Sequence, residues 1–203
     1  MAISTHPYDD DRLREECGVF GIHGHTDASA LTALGLHALQ HRGQEAAGIV
    51  SLDGTQFHGH RALGHVGDNF GDETVIARLP GDAAVGHNRY STTGETAQRN
   101  IQPLFADFES SGFAVAHNGN LTNARQVHRR LVRRGCLFQS TTDTEVIVHL
   151  IAISEFNTVV DRLIDALRQV EGAYSLVALA NDALIGVRDP LGVRPLVLGT
   201  LDG

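Results

Sequence analysis

Residues 12–24 read RLREECGVFGIHG, and the texture changes abruptly at Cys17, where a polar, acidic leader gives way to an apolar run punctuated by glycine. The run CGVFGIH (17–23) predicts a short strand. The 16 residues before it carry five carboxylates and no apolar segment, so no secretory signal is expected. Working outward, Thr26 and Asp27 offer N-cap side chains to a helix in which Leu31, Leu34, Gly35 and Ala38 recur at helical spacing. The loop HRGQE (41–45) leads into AAGIVSL, a strand that should hairpin across Asp53-Gly54 into a second strand rich in histidine. Further strand signals end in GHNRYSTTG (86–94) and occupy GFAVAHNGN (112–120). Three helices are expected next, marked by Ala124, Val127 and Leu131, by Val146, Ile147, Leu150 and Ile151, and by Val160, Leu163, Ile164 and Leu167. The tail returns to strands in AYSLVALA, ALIGVR and PLVLG, the first two joined by an Asn181-Asp182 turn. Strands, then helices, then strands again, with hairpin connections, predict an α+β fold with antiparallel sheets in one domain.

All 16 basic residues of the 203 are arginine, against 24 acidic ones, for a net charge of −8. The absence of lysine excludes Schiff-base chemistry, pyridoxal phosphate attachment and the lysine of a phosphate-binding loop. Ionic recognition falls to guanidinium, which suits bidentate capture of a carboxylate and does not suit proton transfer. The acidic balance argues against nucleic acid or an anionic membrane as partner. No apolar run approaches the roughly 20 residues that cross a bilayer, so a cytoplasmic protein is expected. Cys17 and Cys136 are expected as two thiols, with Cys136 packed.

Twelve histidines include the pairs His23/His25 and His58/His60, and His-x-His on a strand can present two imidazoles to a metal. No third ligand stands at a recognisable spacing, so no metal site is predicted. Arg125, Arg129, Arg130, Arg133 and Arg134 crowd one helix and read as a solvated face or as a surface for an acidic partner.

Cys17 is either a small buried hydrophobe or a nucleophile. Were residues 1–16 removed, it would carry a free α-amino group, whose pKa is about 7.7 to 8.0. Thiol and general base would then belong to one residue, in a chain that has no lysine to supply the base. Three other features have two readings. Arg89 is a surface strand arginine or a carboxylate grip, Asp143 an N-cap or a partner for a cation, and Asn118-Gly119 a hairpin turn or part of a site.

CGVFGIHG after the leader, GLHALQHRGQEAAGIV (35–50), GHNRYSTTGE (86–95), FAVAHNGNLTNA (113–124), STTDTEV (140–146) and RDPLGVRPLVLG (188–199) together closely resemble the glutaminase domain of the amidophosphoribosyltransferases. The stretches run in that family's order over nearly the whole chain. The resemblance implies the N-terminal-nucleophile hydrolase fold, two stacked antiparallel sheets between two helical layers (αββα). It implies that residues 1–16 are a propeptide and 17–203 a type 2 glutamine amidotransferase domain. It further implies hydrolysis of L-glutamine to glutamate and ammonia, the ammonia serving 5-phosphoribosylamine synthesis at the first step of purine biosynthesis.

Residue by residue, the resemblance makes Cys17 the nucleophile and Asn118 with Gly119 the oxyanion donors. Arg89 becomes the grip on the α-carboxylate with Thr92 beside it, Asp143 the partner of the α-ammonium, and Arg42 a positioning residue of the active-site loop. The glutaminase half of glucosamine-6-phosphate synthase reads closer to RGYDS at that loop, against RGQEA here. Position 88 departs from the family pattern, being Asn where a small apolar residue is usual. Nothing matches the family's phosphoribosyltransferase domain, a partner to which Mg²⁺, phosphoribosyl diphosphate and any iron–sulfur cluster would belong. A homo-oligomer is expected only of a full-length protein.

Overall fold

A computed structural model describes residues 17–90, 98–108 and 111–201. Two four-stranded antiparallel sheets lie face to face. The first is formed by β1 (Gly18–His23), β2 (Ala46–Leu52), β3 (Phe57–Leu63) and β4 (Ala83–Arg89), in the order β1-β4-β2-β3. The second is formed by β5 (Leu104–Phe108), β6 (Ser111–Leu121), β7 (Gly172–Ala180) and β8 (Ala183–Arg188), in sequence order. Helix α1 (Ala28–Ala38), with the short α2 (Val66–Phe70) and α3 (Glu73–Ile76), covers the first sheet. Helices α4 (Ala124–Arg133), α5 (Thr144–Ile153) and α6 (Val159–Leu167) cover the second.

The layering follows from the alternation of apolar residues along the strands. In β2, Ala47 and Ile49 meet the α1 layer while Val50 and Leu52 meet the opposite sheet. In β7, Leu176 and Ala178 meet α5 and α6 while Val177 and Leu179 point between the sheets. Three apolar clusters result, one between the sheets and one under each helical layer, giving the αββα arrangement the resemblance implied.

The hairpin at Asp53-Gly54 is present, with Leu52 opposite Phe57, Gly54 at φ +92 and the Asp53 side chain accepting from Thr55 N–H and Gln56 N–H. Three expectations need correction, and one of the two-way readings is decided. Neither Thr26 nor Asp27 caps α1 with its side chain; the Asp27 N–H instead donates to His25 Nδ1. Leu34 lies on the solvent side of α1, which buries the smaller Ala28, Ser29, Thr32 and Ala33 together with Leu36, while Gly35 lets the Phe20 ring approach the helix backbone. PLVLG (195–199) is not a strand, and Val197 and Leu198 are exposed. Asn118-Gly119 is no turn, because both residues sit inside the eleven-residue β6, opposite Ser175 and Tyr174.

Asn88, the departure from the family pattern, is fully buried. Its Nδ2 donates to the carbonyls of Leu36 (3.2 Å) and Leu39 (2.7 Å) at the end of α1, the latter carbonyl also accepting from Arg42 N–H (2.9 Å). The same side chain explains the glycine at 18, where a Cβ would lie 2.2 Å from Asn88 Oδ1.

Candidate active site

The end of β4, the start of β1 and the loop before α5 converge on a cavity of about 890 Å³. Among its lining residues are Cys17, Arg89, Gly119 and Asp143, which are far apart in the chain.

Cys17 has φ +71, a value that costs a residue with a Cβ roughly 1–3 kcal/mol and persists only where the surroundings enforce it. Arg42 supplies that enforcement. Its carbonyl accepts from Cys17 N–H at 2.9 Å while its Nε donates to the Cys17 carbonyl at 2.9 Å. The guanidinium sits there because Gln40–Arg42 form a 3₁₀ turn continuing α1, and Asn88 holds the end of that helix. The Cys17 thiol lies 3.9 Å from the Tyr90 carbonyl. Gly43 passes so close to the β4 backbone that a Cβ would lie 2.7 Å from the Asn88 carbonyl carbon, and Glu45 N–H then bonds the Arg89 carbonyl at 3.0 Å. The HRGQE loop therefore holds Cys17 and Arg89 together.

Arg89 ends β4 with one Nη donating to the Asn100 carbonyl at 3.1 Å, while its buried Nε has no partner among the described residues. Asp143 stands at the N-cap position of α5, yet its side chain makes no cap. Its Oδ2 accepts from Leu121 N–H at 2.8 Å and its Oδ1 lies 3.5 Å from His117 Nδ1. Burial pushes the Asp143 carboxyl up, but the His117 ring and the N–H groups of Leu121 and Thr144 outweigh it and hold the group below its ordinary range. An ionised carboxylate and a guanidinium thus share one cavity with a thiol. That set suits the two ends of a free amino acid beside a nucleophile.

The loop before Asp143 is itself pinned. Glu145 accepts from Gln139 N–H (2.7 Å), Ser140 N–H (2.7 Å) and the Ser140 hydroxyl (2.6 Å). Burial raises the Glu145 carboxyl, and these donors together lower it further than burial lifts it.

Gly119 lines the cavity with φ +150, and a Cβ there would lie 2.2 Å from the Ala173 carbonyl oxygen. Asn118 is buried just behind that wall, its Oδ1 lacking a partner among the described residues. Thr92 lies outside the described residues. Sequence reasoning missed Tyr90, Asn100, Gln102, His117 and Arg194. Of these, His117 stood inside the AHNGN stretch, where a histidine beside Asn-Gly was the available signal. Arg125 and Arg129 border the same cavity, and among the described residues neither their guanidinium groups nor that of Arg194 forms an ion pair with a carboxylate. Cys136 packs against the helical core of the second sheet. His58 bonds Asp53 at 2.8 Å, and among the described residues no three His, Cys, Asp or Glu side chains are grouped as a metal site.

The family described as "Glutamine amidotransferase domain" matches residues 87–203, more than half of the chain. Amidophosphoribosyltransferase of Lacticaseibacillus casei is 46% identical over 193 residues, covering 95% of this chain and 100% of that protein. The chain belongs to the glutamine amidotransferase domain family of the amidophosphoribosyltransferases. The Rhizobium etli amidophosphoribosyltransferase is 60% identical over 197 residues, 97% of this chain and 40% of that protein. The solved glutamine phosphoribosylpyrophosphate amidotransferase of B. subtilis superposes with a TM-score of 0.85 at 40% identity, covering 91% of this chain and 40% of that one. The chain thus spans about two fifths of the Rhizobium and B. subtilis relatives. Among the described residues no helix is long and apolar enough to cross a membrane.

Proposed function

We propose that the chain hydrolyses L-glutamine to glutamate and ammonia, with Cys17 as nucleophile after residues 1–16 have been removed. The observation that carries this reading is the meeting of Cys17, Arg89 and Asp143 in one cavity, with Arg42 clamping Cys17 from both sides of its peptide. Arg89 takes the substrate α-carboxylate, with Thr92 as an adjoining hydroxyl, and Asp143 takes the α-ammonium. The thiol proton passes to the α-amino group of Cys17, which the Arg42 carbonyl is placed to hold. Sulfur attacks the side-chain amide carbon, and the oxyanion is received by the Asn118 side-chain amide and the Gly119 N–H. Loss of one such donor typically costs about 100- to 1,000-fold in rate. The C–N bond breaks as the Cys17 ammonium returns a proton to the departing nitrogen. Ammonia leaves, and water cleaves the glutamyl thioester to glutamate.

Removal of the leader also eliminates the strained torsion, because φ of Cys17 is defined by the carbonyl carbon of residue 16. In the whole enzyme the ammonia serves a phosphoribosyltransferase domain that makes 5-phosphoribosylamine in the cytoplasm, and Mg²⁺ with phosphoribosyl diphosphate belong to that domain. The decisive experiment is intact-mass measurement alongside glutaminase assay. A species beginning at Cys17 should carry the activity and Cys17→Ala should abolish it. Full activity in protein that retains residues 1–16 would refute the mechanism.

A further inference from the structure

Arg89 and Asp143 approach the cavity from different halves of the molecule. Arg89 ends a strand of the first sheet, whereas Asp143 precedes a helix packed on the second. A single carbon of an amino acid bears both charges, so the two grips work together only at one fixed spacing. The short segment 100–102 is bonded to both sides. The Asn100 carbonyl accepts from Arg89 Nη1 at 3.1 Å, while its side chain pairs twice with Thr141. Oδ1 takes the Thr141 N–H at 3.0 Å and Nδ2 donates to Thr141 Oγ1 at 2.9 Å. Two residues on, Gln102 Oε1 accepts from His117 N–H at 2.8 Å and Nε2 donates to Thr144 Oγ1 at 3.0 Å, with the same Oγ1 lying 3.0 Å from His117 Nδ1. Both side chains are more than nine-tenths buried, so these bonds are not diluted by water.

We infer that Asn100 is a positioning residue that sets the distance between the carboxylate grip and the ammonium grip, and so makes the site selective for amides bearing a complete α-amino acid head group. The inference rests on the roles proposed for Arg89 and Asp143. Asn100 reaches the substrate only through them. Its main chain anchors the guanidinium and its side chain anchors the loop two residues before the carboxylate. Truncating that side chain leaves each grip intact and disconnects them.

This distinguishes positioning from general support of the fold. A support residue affects every substrate alike, whereas a spacing residue affects only a substrate that uses both grips. The test compares L-glutamine with 4-aminobutanamide, which lacks the carboxylate, and with glutaramic acid, which lacks the amine. Asn100→Ala should raise KM for glutamine about tenfold, leave kcat within about twofold, and leave kcat/KM for the two single-ended amides within about twofold. An equal fall on all three amides, or an unchanged KM for glutamine, overturns the inference. Should Asn100→Ala fail to fold, Thr141→Val deletes one of the three bonds and should raise KM for glutamine about threefold with the same selectivity.

Calorimetric binding of L-glutamate to protein carrying Cys17→Ala, with and without Asn100→Ala, separates this inference from the glutaminase reading. Turnover that does not depend on Asn100 refutes the inference alone. Glutamate binding that depends on Asn100, in a parent protein with Cys17 intact that never hydrolyses glutamine, refutes the glutaminase reading alone. Neither binding nor turnover refutes both.

Discussion

Replacing Gly119 by Ala tests the junction between fold and chemistry. A Cβ at 119 would lie 2.2 Å from the Ala173 oxygen, 2.7 Å from Tyr174 Cα and 3.0 Å from the Ala173 carbonyl carbon. All three are main-chain atoms of the paired strand, and no side chain can rotate out of the way. Relief requires β6 and β7 to separate by about 1 Å, which weakens the neighbouring ladder hydrogen bonds, each worth about 1 kcal/mol. The backbone conformation at φ +150 adds about 1–3 kcal/mol, and the stiffer unfolded chain returns about 0.4–1 kcal/mol. The net loss is about 3 kcal/mol, or roughly 6–12 °C in Tm for a protein of this size. Gly135→Ala is the matched control, because φ is +92 there and nothing lies within 4 Å of the added carbon; it should lose only about 1 kcal/mol. Urea titrations of both variants with m-values measure the difference. Agreement between them within about 0.5 kcal/mol would refute the argument from strand separation. Glutamine turnover, measured well below the Tm, should also fall about 100-fold as the Gly119 N–H moves. A destabilised Gly119→Ala protein with full turnover would instead refute the oxyanion role.

Gly18→Ala should destabilise by about 2 kcal/mol through the 2.2 Å approach to Asn88 Oδ1, and adding Asn88→Ala should recover part of that loss. Strict additivity in this double-mutant cycle would show that the two positions do not interact. Burial, then the Arg89 charge, push His87 down to about 3, so the folded protein keeps the ring neutral where the unfolded chain protonates near 6.5. This contribution to stability is therefore complete above pH 6.5 and is lost as pH falls toward 3, with a limiting slope of about 1.4 kcal/mol per pH unit. His87→Asn should flatten that slope in urea titrations from pH 7 to 5, and an unchanged slope would refute the assignment. Asp143→Asn retains the acceptor for Leu121 N–H and removes the charge, so KM for glutamine should rise roughly 10- to 100-fold while glutaramic acid, lacking the amine, is affected far less.

The legibility of this fold divides along a physical line. Hairpins and long amphipathic elements were readable because their signals are local. Asp53-Gly54 specifies a turn, and the buried Val146, Ile147, Leu150 and Ile151 mark one face of α5. The five-residue α2 and four-residue α3 are too short for a 3.6-residue period to register, and β5 carries only five residues. PLVLG failed for the opposite reason. Its composition suits a strand, but pairing requires a neighbouring edge, and an apolar run does not encode whether one is present. On α1, hydrophobicity alone did not mark the buried face: Leu36 is buried, but Leu34 is exposed while the smaller Ala28, Ser29, Thr32 and Ala33 pack closely onto the first sheet.

The candidate site shows the same division at the level of single side chains. Cys17, Arg89, Asp143 and Gly119 were legible because each carries a chemistry with few uses, and ordered motifs narrowed those uses further. Asn100 and Gln102 carry no such mark; each reads as an ordinary polar residue of a connecting loop. Their importance comes from burial and from the polar groups they face, Arg89 on one sheet and Thr141, Thr144 and His117 on the other side. Asn88 extends the point. In the sequence it is marked only as a departure from the family pattern. In three dimensions it ties β4 to the end of α1, ahead of the turn that brings Arg42 onto Cys17. A substitution at 88 should therefore affect Cys17 through two intermediaries, the end of α1 and Arg42. The signature of that route would be a change in glutamine kcat larger than any change in KM, because Arg89 and Asp143 are held by other bonds.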